Sequence, residues 1–413
     1  MERYDAIVLG GGPAGLGAAL ALARSGARVA ALEAGPQVGG LCRTLRRNGF
    51  LYDLGGHILF VRDAARLAWL RSLLGEDLVW VNRPVASVVG GQITRGRYLD
   101  QRPPDAHPSR GERGPSGLAY LAAEVGAPVV ERLMRRYLEK IDGLPLERIP
   151  AARVERLLVG QAAPDGFWFC RRGIGQLMEA MARAVRLAGG EVRVGTPVHA
   201  IDLGTAQAVA LTVGGGARLA GDRLVVGVPP GRAAQLARPQ APPGAIPDLP
   251  MRAVCLVYLT LERDRLTDQA WIQVDDPSVP FARLAELPNW SAEMAPPGRT
   301  VLCAECYCRA EPGDPVWSLD DAGLAAACAR SLAEPLGLLD DPGAARLLDV
   351  VRLPRAYPVV PLELTAQAGA AARWLESVPG VAVAQGGAVI EAVEAGEEAA
   401  ARLLAPAAAG SVP

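Results

Sequence analysis

Apolar residues follow two rhythms along this chain. Residues 5–9, DAIVL, form a short continuous apolar run that stops at glycines, and LGAALALARSG then sets apolar side chains three and four apart until Gly26. The first rhythm predicts a buried strand and the second a helix. A further run from Arg28 to Leu32 ends at Glu33, completing a strand, helix, strand unit of about thirty residues that predicts a parallel sheet. Between about 62 and 160 the spacing is largely helical, in ARLAWLRSLLG, LAYLAAEVG and VVERLMRRYLEKI. The piece from Gln101 to Pro115, rich in Pro, Gly, Arg and Asp, breaks that pattern and reads as an exposed loop. From Gly175 a helix leads into EVRVGTPVHAIDL, a hairpin, and DRLVVGVPP, which read as returning pieces of the first domain. Residues 251–309 alternate strands (MRAVCLVYLTLE, AWIQVDD, RTVLCAECYC) with turns, the pattern of an antiparallel sheet over a pocket. A last helix is expected from Val389 to Leu404, followed by a frayed tail, APAAAGSVP.

These elements predict an α/β fold. A Rossmann-like dinucleotide-binding domain is assembled discontinuously from residues 1–80, 175–235 and 375–413, and an α+β substrate domain from 81–174 and 236–374. With 413 residues, half of them apolar, the chain can bury cores for both. Its 43 basic and 44 acidic residues leave no sustained basic face, which excludes a nucleic-acid partner. No apolar run approaches the roughly 20 residues that a membrane span needs, and the amino terminus enters a strand rather than a leader. A cytoplasmic protein acting on a small molecule is expected, while its oligomeric state is not legible. Seven cysteines, an odd and scattered set, fit reduced thiols. Cys303, Cys306 and Cys308 cluster in TVLCAECYCRA, but a metal would require a fourth ligand, and none is expected.

The chemistry begins at Gly10, Gly12 and Gly15, which with Pro13 and Ala14 form a G-x-G-x-x-G turn between strand and helix. Such a turn must be tight while its backbone approaches a pyrophosphate, and side chains would block both. The helix then points free N–H groups at the phosphate. Glu33, 18 residues past the last glycine and followed by Ala34, is placed to accept a hydrogen bond from a ribose hydroxyl.

Farther on stand Gly39-Gly40-Leu41-Cys42-Arg43-Thr44, then Phe50 and Tyr52-Asp53-Leu54-Gly55-Gly56-His57. The run from Met1 to Val61 resembles the FAD-binding start of the protoporphyrinogen oxidase, amine oxidase and UDP-galactopyranose mutase superfamily. The resemblance implies FAD as cofactor, with Gly39, Gly40, Leu41 and Arg43 along its phosphates and flavin, and Gly55, Gly56 and His57 close to the isoalloxazine ring. It continues through Tyr137-Leu138-Glu139-Lys140-Ile141, Arg172-Gly173-Ile174-Gly175, Pro288-Asn289-Trp290-Ser291 and Arg355-Ala356-Tyr357-Pro358-Val359, and it sets the backbone of Val198 against the FAD adenine.

One segment departs from the family. Where a Gly-Asp or Gly-Arg pair normally closes the flavin site, this chain has Gln385-Gly386-Gly387 and a shortened loop. The charged residue is missing, although a helix starting at Ala388 would offer its positive end to reduced flavin. His57 reads as an acid or base, or equally as a histidine that shapes the pocket through backbone bonds. Tyr357 reads as a substrate-orienting aromatic or as part of a core strand. Arg171, Arg172 and Arg355 are candidates for a diphosphate clamp. Glu305 and Tyr307 share one strand face, opposite Cys306. Three functions stay open: an FAD-dependent oxidoreductase, a non-redox flavin-dependent mutase, and a degenerate non-catalytic homologue.

Overall fold

The computed structural model describes residues 1–61, 63–101, 113–159, 166–204 and 209–405. Most of the loop expected at 101–115, and the tail beyond Ala405, lie outside the described residues.

The central layer is a five-stranded, all-parallel sheet in the order Glu191–Arg193, Val29–Leu32, Ala6–Leu9, Leu224–Val226, Val381–Val383. Four of its strands are continuous apolar runs because both faces are covered, while the edge strand Glu191–Arg193 is half-buried and charged. Ala6, Val8 and Ala31 pack beneath the helices Pro13–Arg24 and Val389–Leu404. Ile7, Leu9, Ala30 and Leu32 face the other way, toward Val198, Leu211 and Leu219 of a four-stranded sheet. The two covering helices touch through glycine: a Cβ on Gly396 would lie 2.0 Å from the Ala14 carbonyl oxygen, and one on Gly17 2.5 Å from that of Val393.

A seven-stranded sheet forms the second layer, ordered Arg346–Pro358, Met251–Leu261, Thr300–Cys308, Arg283–Glu286, Trp271–Gln273, Ala86–Val89, Gln92–Arg95. Its strand alternation has a chemical consequence. Cys303 and Tyr307 join a core containing helical residues 117–154, whereas Ala304, Cys306 and Cys308 join the opposite core under the helix Asp321–Ala333. Cys306 approaches Cys328 at 3.7 Å and Cys308 approaches Cys255 at 3.8 Å, with Cys303 on the far side of the sheet.

Part of the helical expectation for 62–160 is overturned. Helices Ala64–Leu74, Gly117–Val125, Arg135–Asp142 and Ala151–Val159 are present, but Leu78–Val81, Ala86–Val89 and Gln92–Arg95 are strands. Gly90 (φ 59°) and Gly91 (φ 80°) make the tight turn between the last two, and Ala86–Val89 also pairs with Trp271–Gln273, nearly two hundred positions later in the chain. β-Branched residues on both sides of a Gly-Gly turn (Val88 and Val89, Ile93 and Thr94) favour the hairpin, and the distant partner strand completes it. The helix Asp321–Ala333, capped by the Asp320 carboxylate on the Gly323 N–H at 2.7 Å, was not anticipated from the spacing. No helix among the described residues is long and apolar enough to cross a membrane.

Candidate active site

The glycine turn sits at the carboxyl ends of the parallel strands. Gly10 has φ +105°, and a Cβ on Gly15 would lie 1.9 Å from the Gly10 carbonyl oxygen, so the turn closes only without side chains. Pro13 begins the helix Pro13–Arg24, a position where its missing N–H costs nothing, and Ala14 follows it, buried. Gly12 differs from its neighbours: the nearest atom to a Cβ there is the Gly39 oxygen, 4.0 Å away. That open face above a helix start has the shape a pyrophosphate requires.

Three further segments line the same rim. Gly39 donates to the Gly11 carbonyl at 2.7 Å, Cys42 to Gly39 at 2.8 Å, and Arg43 Nε to the Gly40 carbonyl at 2.7 Å. This tight bend, with Gly39 at φ +117° and Gly40 at φ +57°, holds the Arg43 guanidinium against itself and near Gly35 and leaves Leu41 at its exposed tip. The Glu33 carboxylate accepts the Gly11 N–H at 2.9 Å and the Gly35 N–H at 2.8 Å, next to exposed Ala34. Each oxygen keeps a lone pair for a sugar hydroxyl. Thr196 donates to the Glu33 carbonyl at 2.8 Å and Gly195 to that of Gly35 at 2.7 Å, which brings the start of the strand Val198–Leu203 to the rim.

Gln385 and Gly386 follow the edge strand Val381–Val383 and are exposed. A Cβ on Gly386 would lie 2.3 Å from the Ala392 Cα, so the bend packs directly on the last helix. The free positive helix end expected at Ala388 is occupied: Ala388 donates to the Glu391 carboxylate at 3.1 Å. An acid in the first turn offsets the dipole that would otherwise favour reduced flavin.

The hairpin Thr44–Arg47/Phe50–Asp53 carries the chain from the first glycine pair to the second. Asp53 is fully buried, accepting from the Thr44 hydroxyl at 2.5 Å and the Ile174 N–H at 3.0 Å, while Thr44 accepts the Gly175 N–H at 2.8 Å. The Arg172-Gly173-Ile174-Gly175 turn is thus a clasp between this hairpin and the helix Gly175–Leu187. Burial pushes the Asp53 carboxyl from 3.8 up to about 7, against the lowering effect of Thr44 and Ile174. The folded state therefore holds this proton more tightly than the unfolded chain. The stability it contributes is complete below pH 3.8 and is lost as pH rises through 7. Asp53→Asn is expected to flatten that loss, read as a smaller difference in melting temperature between pH 4.5 and 7.5 than the parent chain shows; equal differences would contradict it.

Beyond Asp53, Gly55 (φ +90°), Gly56 and His57 meet the seven-stranded sheet. Glu305 accepts the Gly56 N–H at 3.0 Å and the Tyr307 hydroxyl at 2.8 Å, and Arg283 Nε lies 3.5 Å from its other side. Gln273 donates to the Tyr137 hydroxyl at 3.2 Å, and that hydroxyl faces Arg283. Tyr357 stacks on Tyr307 with centroids 6.4 Å apart and a 24° tilt, and remains 44% exposed, so it lies at the rim rather than in the core. Burial holds the His57 imidazole below its ordinary 6.5, leaving it neutral at pH 7. His57 Nδ1 and Arg283 Nε are buried without hydrogen-bond partners.

The structure places Gly10–Gly15, Glu33, Gly39–Arg43 and Val198 along one rim, and it brings His57 and Glu305 together with Arg283, which spacing did not single out. The arginine clamp does not assemble. Arg171 donates to the Glu76 carbonyl at 2.7 Å and lies 3.6 Å from Asp77, Arg172 and Arg355 are exposed, and no contact among the described residues joins the three. Arg283 carries no local signal, because its role depends on cross-strand pairing with Glu305.

Comparison with known proteins agrees with this geometry. The model of the flavin containing amine oxidoreductase family matches residues 99–404, and that of an NAD(P)-binding Rossmann-like domain matches residues 8–73. All-trans-retinol 13,14-reductase of Danio rerio is 41% identical over 116 residues, covering 24% of this chain and 19% of the relative. The chain thus spans under a fifth of that relative's length. Among solved structures, a reduced UDP-galactopyranose mutase superposes with a TM-score of 0.78 at 19% identity, over 97% of this chain and 95% of that one. A putrescine oxidase variant does so with a TM-score of 0.71 at 18% identity, over 97% and 99%. At such identities these two likenesses establish the fold.

Proposed function

Since the chain belongs to the flavin containing amine oxidoreductase family, we propose that it is an FAD-dependent oxidoreductase in which FAD extends from the Gly10–Gly15 turn to Gly55–His57. A small-molecule substrate then meets it in the chamber of Glu305, Arg283, Tyr307 and Tyr357. Bound flavin supplies the hydride chemistry. The helix start at Pro13 and the Arg43 guanidinium hold the diphosphate, and the free lone pairs of Glu33 accept from the ribose. Neutral His57 offers Nδ1 to take a substrate proton, and exposed Tyr357 supplies a flat surface that orients the substrate.

One observation carries this reading. Two buried polar atoms, His57 Nδ1 and Arg283 Nε, lack hydrogen-bond partners at the end of the glycine path, and such atoms in a folded protein call for a ligand or an ordered water. A mutase acting on a nucleotide sugar is less well supported, because Arg171 is engaged by the Glu76 carbonyl and Asp77 and no contact among the described residues joins it to Arg172 or Arg355.

The test is anaerobic reduction of the FAD-loaded protein by a panel of amines, alcohols and unsaturated alcohols, followed as bleaching of the flavin. At least one is expected to bleach it, and His57→Gln should slow that step about 100-fold while FAD stays bound. A flavin that no donor reduces, or an equal rate in the variant, would contradict the proposal.

A further inference from the structure

Resting on that placement of FAD, we infer that Arg283 and Glu305 form a positioning pair that fixes the Gly55–Gly56 peptide beneath the flavin and sets the ring's reduction potential.

The pair is built by sheet register. Arg283 stands directly opposite Glu305 across neighbouring antiparallel strands, and both side chains reach the glycine pair. Glu305 is 4% exposed, so its charge acts where water screens it little. Because a peptide group is planar and trans, its N–H and C=O point in opposite directions. Glu305 holds the Gly56 N–H at 3.0 Å, which turns the Gly55 carbonyl away from the sheet. The approach is close: a Cβ on Gly56 would lie 3.2 Å from the Trp290 ring, 3.3 Å from Arg283 Nη1 and 3.4 Å from Glu305 Oε1.

The geometry also shows that the pair serves more than stability. A buried ion pair that merely holds two strands together does best when each donor is matched. Here Arg283 Nε stands 3.5 Å from Glu305, beyond a good hydrogen bond, and finds no other partner, while one Nη reaches the Tyr307 hydroxyl only at 3.4 Å. Glu305 divides its lone pairs among Gly56, Tyr307 and this loose contact. The guanidinium is therefore only partly neutralised, and its residual positive field lies next to the turn where flavin gains electrons. A cation beside that site favours the anionic reduced ring, and the carboxylate opposes it. The balance of the two charges is the controlled quantity.

Opposed variants separate this role from a packing role. Glu305→Gln keeps an oxygen for the Gly56 N–H but leaves Arg283 unopposed, whereas Arg283→Gln removes the cation. Midpoint potentials are measured on the FAD-loaded proteins by equilibrium titration against redox dyes. Glu305→Gln should favour reduced flavin at least tenfold, a rise of about 30 mV for a two-electron couple. Arg283→Gln should shift the potential downward by a similar factor, and the double variant should return to within threefold of the parent. A packing role would give no such opposite signs. Unchanged potentials in loaded single variants, or shifts of the same sign, would overturn the inference alone, as would loss of FAD by Glu305→Gln. A parent chain that binds no FAD would instead remove the cofactor reading together with this inference.

Discussion

Gly15→Ala is expected to abolish FAD retention, and Gly12→Ala to do the same by a different physical route. At Gly15 the new Cβ would lie 1.9 Å from the Gly10 carbonyl oxygen and 2.9 Å from its carbon, so the turn must open. Gly227 also closes on this spot, with its own Cβ direction meeting the Gly15 Cα at 2.8 Å, and no flexible side chain is available to give way. Overpacking of this kind costs about 1–3 kcal/mol or more, and the displaced helix start removes the phosphate site as well. Gly12 presents the opposite case. The nearest atom to its Cβ direction is the Gly39 oxygen at 4.0 Å, so the variant folds normally and fills only the space reserved for pyrophosphate. FAD per chain, measured beside the melting temperature, should therefore fall about 100-fold in affinity for both variants, roughly 3 kcal/mol, with melting lowered for Gly15→Ala alone. A Gly12→Ala protein that binds FAD like its parent would show that the phosphates run elsewhere.

Glu286→Ala is expected to unfold the substrate-side sheet at markedly lower denaturant. Glu286 is 2% exposed at the end of the strand Arg283–Glu286, and its carboxylate collects the N–H groups of Leu266 at 2.6 Å and Thr267 at 2.7 Å. The hydroxyls of Thr267 at 3.0 Å and Thr300 at 2.7 Å, and the Asn289 amide at 3.2 Å, complete the set. Removing the acceptor leaves the Leu266 and Thr267 N–H groups and the buried Thr300 hydroxyl without it at once, each worth about 1–3 kcal/mol, so a loss of about 3 kcal/mol or more is anticipated. Glu286→Gln would recover part of it, because one oxygen remains while the new amide group faces donors. A urea midpoint for the alanine variant within experimental error of the parent would contradict this account of the hub.

These two sites mark what the sequence reveals and what it hides. The glycine turn was legible because its chemistry is local: strand, turn and helix are adjacent, and Glu33 closes the unit within a single βαβ. The helix Val389–Leu404 was legible for a similar reason, since its apolar spacing alone defines it. Glu286, Arg283 and the Asp53 clasp were not, because each acquires its role from partners on strands or turns far away in sequence. The strands Ala86–Val89 and Gln92–Arg95 were hidden in the same way, their place in the sheet fixed by Trp271–Gln273. Strand periodicity did separate the faces correctly. Glu305 and Tyr307 lie together toward the chamber, with Cys306 on the opposite side, as their two-residue spacing implies. At the carboxyl-terminal departure the sequence shows a missing charge, and the structure adds a second change: Glu391 caps the helix end that would otherwise compensate for it.

The central claim is that a glycine-closed turn, an acid at the end of the second strand and a second glycine pair together hold one FAD. The most direct measurement is the absorption spectrum of the purified chain, with the cofactor then released by denaturation and identified. The expected result is a yellow protein with flavin bands that yields FAD in a one-to-one ratio, or takes it up when it is added. A colourless chain that refuses added FAD while remaining folded would contradict the account.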